Sequence, residues 1–237
     1  MYQTYIFDLY GTLIDIETDE DQPAVWERLA VHFGYQGMPI TAKELRRRYL
    51  EERDTRLAEA SKDYEYPDFV MEEVFQAVAL SLGGEPDGQW LEETVRWLRT
   101  LSMVRISLYE GVEDILRTLR EGGKKVYLLS NGQRTFIEAE LRMLGILDLF
   151  DGIAISSDAG VCKPDPLFYQ YLAETMKADF TSALMVGNDL STDIAGAIRM
   201  GIDSCYIETA SSPRNLKVNS TMEIMDGDHR KIPGWQL

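Results

Sequence analysis

Strand and helix signals alternate from about residue 105 to residue 207, and this alternation constrains the fold more than any other feature. A helical pattern over about 112–121 stops at Gly122 and Gly123, and Val126–Ser130 reads as a buried strand. A second helix runs from about Arg134 to Leu144, and Ile153–Ser156 reads as a short strand. Pro166 stands at a first helical position, ahead of Leu167, Phe168, Tyr171 and Leu172. Ala183–Gly187 reads as a strand, a helix from Thr192 ends at Gly201, and Cys205–Ile207 reads as another strand. Repeated strand–helix units predict an α/β fold with a doubly wound parallel sheet, because each parallel pair needs a crossover. The β-branched and aromatic stretch 1–7, ending at Asp8, supplies one further buried strand.

Residues 22–102 have a different texture. Val25, Leu29 and Phe33 are spaced four apart, with Gly34 as a stop, and Thr41 with Glu44 forms a capping box ahead of a helix through Leu57. Asp68 is placed to cap a helix carrying Val70, Met71, Val74, Phe75, Val78 and Leu82, which Gly83 and Gly84 end. Leu91, Val95, Leu98 and Leu101 mark a fourth helix, and no strand alternation interrupts the block. The expected organisation is an α/β core from residues 1–15 and 105–237, with a helical domain, 16–104, spliced in after the first strand. Residues 208–237 are polar and carry little pattern.

Lys plus Arg number 24 and Asp plus Glu 40, a formal charge of −16. That balance argues against a nucleic-acid surface or docking on anionic lipid. No apolar run approaches the ~20 residues that span a bilayer, and Asp8 interrupts the first apolar stretch where a signal peptide needs continuity. Two cysteines, Cys162 and Cys205, make no disulfide framework at this length and read as reduced thiols in a cytoplasmic protein. A small anionic substrate stays open, because a bound cation or a local lysine reverses the field at a site.

In open α/β sheets ligands sit at the carboxyl ends of the strands. Four predicted strand ends carry chemistry: Asp8, Tyr10 and Thr12 after the first, then Ser130, Asn131 and Gly132, then Lys163 in a Lys-Pro-Asp-Pro run, then Asn188, Asp189 and Asp193 after Gly187. Carboxylates, a hydroxyl, an amide and a lysine together suit phosphoryl transfer through an aspartyl-phosphate, with Mg²⁺ held by oxygens. Taken alone, each group also has a plain reading: a turn residue, a surface lysine or helix N-terminal acids.

In this order and context, the motifs resemble those of the haloacid dehalogenase-like (HAD) hydrolase superfamily, and the helical insertion looks like that family's C1-type cap. The resemblance implies a Rossmann-like core with Asp8 as nucleophile. It also implies that Thr12, Ser130, Asn131, Gly132 and Lys163 bind the transferring group. Mg²⁺ would be held by Asp8, the Tyr10 carbonyl, Asn188, Asp189 and Asp193. Two departures point in opposite directions. Family phosphatases usually carry an acid/base Asp where this chain has Tyr10, and tyrosine there, with Tyr169 six residues after Lys163, is typical of the metal-independent 2-haloacid dehalogenases. Yet the Asp189 and Asp193 pair suits a metal, where those dehalogenases carry Ser-Ser-Asn. The expectation is a Mg²⁺-dependent phosphatase of small phosphate monoesters, with a dehalogenase or a phospho-ligand-binding protein as alternatives, working as a monomer or homodimer. The remaining side chains are assigned plainly: Trp26, Trp90 and Trp97 to the helical core, Arg46, Arg47 and Arg48 to a solvated face (with the alternative that one reads a substrate anion), and no role to His32 or His229.

Overall fold

The computed structural model describes residues 2–213 and 219–235. Six parallel strands form one sheet around β1 (Thr4–Phe7). On one side of β1 lie β4 (Lys125–Ser130) and then β5 (Gly152–Ile155); on the other lie β6 (Ala183–Gly187), β7 (Asp203–Ile207) and β8 (Met222–Ile224). Phe7 is level with Leu128 of β4 and with Val186 of β6. The strand order reverses at β1, so the crevice beyond its carboxyl end is the natural ligand position. The expected doubly wound α/β sheet is observed.

Successive side chains of a strand point to opposite faces. Tyr5 and Phe7 enter one apolar core with Val126, Leu128 and Leu184, and Ile6 enters the other with Leu129 and Met185. Helix α5 (Val112–Glu121) contributes Ile115, Leu116 and Leu119 to the first core, and α6 (Arg134–Met143) adds Ile137 and Leu141. The second core is closed by Phe168, Tyr169 and Leu172 of α8 (Pro166–Met176) and by Ala197 of α9 (Ala195–Met200). A single turn, α7 (Ser156–Ala159), follows β5. Burial on both faces is why these strands read as unbroken apolar runs rather than alternating ones.

Four helices lie between β2 (Ile14–Thr18) and β3 (Met103–Leu108), which pair antiparallel as a separate two-stranded ribbon. They are α1 (Pro23–Tyr35), α2 (Ala42–Ala60), α3 (Met71–Ser81) and α4 (Gly88–Ser102). Their shared core is aromatic: Trp26 packs on Tyr49, Tyr49 on Phe75, and Phe33 on Trp90, with centroids 5.3, 5.0 and 4.9 Å apart. The Thr41 hydroxyl caps α2 by accepting from Glu44 N–H.

Several local expectations need correction. Asp68 does not cap α3, whose N-cap is Val70; its carboxylate accepts from the Ser156 hydroxyl and its own neighbour Phe69. It belongs to a strap, residues 66–71, that joins the helices to the sheet. Asp68 N–H donates to the Gly160 carbonyl and Cys162 N–H to that of Tyr66, while the buried Gln133 amide bonds Phe69 O and Met71 N–H. Gly34 lies inside α1, and the chain turns at Gly37, which adopts positive φ. Trp97 is 44% exposed and stacks outside His32. The patternless tail adds β8 to the sheet, because its apolar residues find an open edge of β7. Both cysteines are free, and burial and the Asp68 carboxylate push the Cys162 thiol up to about 12, so adjacent Lys163 does not activate it. No described helix is long and apolar enough to cross a membrane.

Candidate active site

The loop after β1 is shaped by close approach. Gly11 has φ +82°, and a Cβ there would overlap the Asn188 side-chain amide. Gly187, at the tip of β6, is likewise covered by the Asp193 carboxylate. Glycine at position 11 lets the first and fourth strand ends approach, and glycine at position 187 leaves room for the Asp193 carboxylate to fold back over the tip of its own strand.

Lys163 is 2% exposed and its ammonium joins two carboxylates, at 2.6 Å from Asp8 Oδ1 and 2.8 Å from Asp193 Oδ1. Thr12 Oγ1 donates to Asp8 Oδ2 at 2.9 Å and accepts from Asn188 N–H at 3.0 Å. Asp8 is thus held by a donor on each oxygen. Asn131 fixes the Lys163 backbone at both ends, accepting from its N–H and donating to its carbonyl. Asp193 Oδ2 accepts from Asp189 N–H, while the Asp189 carboxylate accepts from Ser191 N–H and caps the π-helical turn Leu190–Ile194. Tyr169 packs against Gly196 and donates to the Asp193 carbonyl.

The titration behaviour follows from this packing. Burial works against the Lys163 ammonium, but the Asp193 and Asp8 carboxylates outweigh it and hold its pKa above the usual lysine value. Burial, together with the Asp8 charge, pushes Asp193 up to about 7 despite Lys163.

A cleft of about 230 Å³ opens over these groups. Asp8, Tyr10, Asn131 and Lys163 line it from three strand ends, and Asn188, Asp189 and Asp193 from a fourth. Ser211 and Pro213 of the tail complete its wall. Three sequence-designated residues lie outside the lining. Thr12 stands behind Asp8, Gly132 N–H is taken by Ser156, and the buried Ser130 hydroxyl has no hydrogen-bond partner among the described residues. A larger groove of about 810 Å³ on the outer face of α1 and α4, lined by Val31, Tyr35 and Trp97, contains none of the strand-end chemistry.

Sequence reasoning missed the neighbours of Tyr10. Its hydroxyl donates to Glu140 Oε2 of α6 at 2.6 Å, and Arg99 of α4 donates from Nε to Glu140 Oε1 at 2.6 Å. The Arg99 guanidinium lies 5.0 Å from the Tyr10 ring centroid and 4.5 Å from that of Phe136. Burial, with Glu140 beside it, drives the Tyr10 phenol well above its usual pKa, although Arg99 opposes the shift. A usable signal existed: Arg99 and Glu140 each fall within an apolar helical stripe, four residues after Val95 and Phe136. Arg46, Arg47 and Arg48 pair instead with Asp21, Glu44 and Glu51 on the surface.

Residues 2–201 match the model of the haloacid dehalogenase-like hydrolase family. The chain belongs to that family. This HAD-like hydrolase is 28% identical over 228 residues to the HAD-hydrolase YfnB of Bacillus subtilis, covering 94% of this chain and 91% of YfnB. The crystal structure of YfnB, bound to magnesium, superposes with a TM-score of 0.53 at 25% identity and covers 94% of each chain. The pyrimidine 5′-nucleotidase PynA of Streptococcus pneumoniae is 24% identical over 241 residues, covering 94% of this chain and 91% of PynA. The (S)-2-haloacid dehalogenase of Pseudomonas sp. strain YL is 29% identical over 203 residues, with 85% and 80% coverage. The HAD-like hydrolase is therefore an enzyme whose relatives include both phosphatases and dehalogenases.

Proposed function

We propose that this HAD-like hydrolase is a Mg²⁺-dependent phosphatase of small phosphate monoesters, with Asp8 as nucleophile and residues 16–104 serving as a C1-type cap on the core 1–15 and 105–237. One observation carries the reading: among the described residues, three carboxylates, Asp8, Asp189 and Asp193, line a small cleft with one ammonium, Lys163. An anionic ester entering that cleft needs a further positive charge.

The donors present fit Mg²⁺ in kind. Among the described residues no three His, Cys, Asp or Glu side chains form a ready-made cage. Mg²⁺ does not require one, since it keeps several waters and takes one or two carboxylates plus phosphate oxygens. Asp8, the Tyr10 carbonyl, Asn188, Asp189 and Asp193 would supply hard oxygens, and burial with the Asp8 charge beside it raises the pKa of Asp193 despite Lys163. When bound, the ion would neutralise phosphate charge and align the attack.

Asp8 attacks phosphorus, the phosphorus–oxygen bond to the leaving group breaks, and the oxygen departs with its electron pair. Thr12 and Lys163 orient the attacking carboxylate, and Lys163 with Asn131 steadies charge on the transferring oxygens. Water then hydrolyses the aspartyl-phosphate. Tyr10 offers no proton to the leaving group, because its phenol is tied to Glu140 and its pKa is raised. Turnover should therefore favour acyl and aryl phosphates over alkyl phosphates.

That same tethered phenol favours a second reading, displacement of halide from a 2-haloacid, in which Asp8 forms an ester and the halide leaves unprotonated. Phosphate release from acetyl phosphate and p-nitrophenyl phosphate, with Mg²⁺ and then with EDTA, separates the two. Metal-dependent release that Asp8→Asn abolishes supports the phosphatase. No phosphate release, with chloride release from 2-chloropropionate in EDTA, supports the dehalogenase.

A further inference from the structure

The family match ends at residue 201, yet the chain beyond it returns to the loop after β1 twice and to the cleft above it once. Thr209 Oγ1 donates to the Gly11 carbonyl at 2.6 Å. His229, fully buried, places Nε2 2.7 Å from the Thr12 carbonyl, an acceptor, so Nε2 carries the proton. Its ring stacks on Tyr109, with centroids 5.8 Å apart at 20°. Ser211 and Pro213 stand in the wall of the cleft that Asp8 lines, and no residue of 16–104 does. The Thr209 turn is itself closed, since Ser212 Oγ accepts from Thr209 N–H and Ser212 N–H donates to Thr209 O.

These contacts meet at the apex of the loop. Gly11 sits in the left-handed region, and Thr12 is the residue whose hydroxyl holds Asp8. A loop with a glycine at its apex does not keep a nucleophile in place by its own backbone preference. The carbonyls of Gly11 and Thr12 are anchored from outside, by donors on the tail.

We propose that the C-terminal segment is a working part of the active site, in which Thr209 and His229 are positioning residues that staple loop 8–12 under Asp8 while Ser211 and Pro213 wall the substrate cleft. The catalytic half of this proposal rests on the phosphatase reading; the staple itself does not.

The test uses Thr209→Val, which removes the hydroxyl at nearly constant shape, Thr209→Ser, which restores it, and His229→Gln, which keeps a donor on a different reach. Two readouts are taken on the full chain: kcat and KM for acetyl phosphate, and hydrogen exchange of the Gly11–Ile14 amides. Losing one such hydrogen bond should speed exchange in the loop about five- to tenfold. Misplacement of Asp8 should lower kcat by a similar or larger factor with KM within about twofold. Thr209→Ser should restore both. Unchanged exchange in both Thr209→Val and His229→Gln would overturn the staple. Faster exchange with unchanged kcat would overturn the positioning role. If the wild type releases no phosphate, the phosphatase reading fails on its own and the exchange arm still decides the staple.

Discussion

The Arg99–Glu140 pair joins the helical insertion to the core, and its removal should cost far more than an ordinary ion pair. Their side chains are 10% and 5% exposed, and Tyr10 adds a hydrogen bond to the same carboxylate. Arg99→Met keeps the length of the side chain but leaves the Glu140 carboxylate buried with the phenol as its one close donor among the described residues. Breaking one side of a buried pair costs about 3–5 kcal/mol, most of it the penalty of the stranded charge. Arg99→Met/Glu140→Leu removes that charge as well. It leaves the Tyr10 hydroxyl without its acceptor, at about 1–3 kcal/mol, so the double variant should be more stable than the single. Adding Tyr10→Phe should recover most of the remainder. Urea unfolding at neutral pH reads all three, and for a chain of this size the single variant should also lose roughly 6–20 °C in Tm. A loss below about 1 kcal/mol for Arg99→Met, or a double variant less stable than the single, would refute the reasoning. The first result would mean that the pair behaves as a solvated contact, and the second that the carboxylate has its own support.

The remaining predictions concern the site and the tail. Asp8→Asn should abolish phosphate release and the covalent phospho-enzyme seen by mass spectrometry of acid-quenched wild type; a phosphorylated Asp8→Asn protein would move the nucleophile elsewhere. Lys163→Met should lower kcat about 100-fold or more, because Asp8 and Asp193 would face each other without the ammonium; activity within a few-fold of wild type would contradict that. Burial holds the His229 imidazole below its usual pKa. The unfolded chain therefore takes up a proton that the folded one refuses, and stability present above about pH 6.5 is lost as pH falls through that value toward the folded pKa. Between about pH 7.5 and 5.5 His32, also lowered by burial, acts in the same sense as His229, and Asp193, raised to about 7, acts in the opposite sense, so the test is the difference between wild type and His229→Gln: the variant should lose one histidine's share of the fall in unfolding free energy; an unchanged slope would show that His229 titrates normally.

Much of this protein follows from local sequence. The alternation of buried strands and helices determines the doubly wound sheet, because a strand buried on both faces has to be apolar throughout and a parallel neighbour has to be reached through a crossover. The same reading determines that Asp8, Asn131, Lys163, Asp189 and Asp193 end up together, since the carboxyl ends of parallel strands share one edge. Other features were decided only in three dimensions. The ribbon of β2 and β3 is invisible locally because its two halves are separated by four helices and have half-exposed, mixed faces. Strand β8 exists because β7 has a free edge to offer, not because three residues demand it. Asp68 had the form of a helix cap, and the folded chain uses it in the strap beneath Ser156. Arg99 met Glu140, and His229 met Thr12, across 41 and 217 positions of sequence. A charge within an apolar stripe says that it has a partner, but the identity of the partner is a property of packing. The candidate site positions were legible because they cluster at strand ends. The side chains that hold them were not, because a buried polar group can be satisfied from anywhere in the chain.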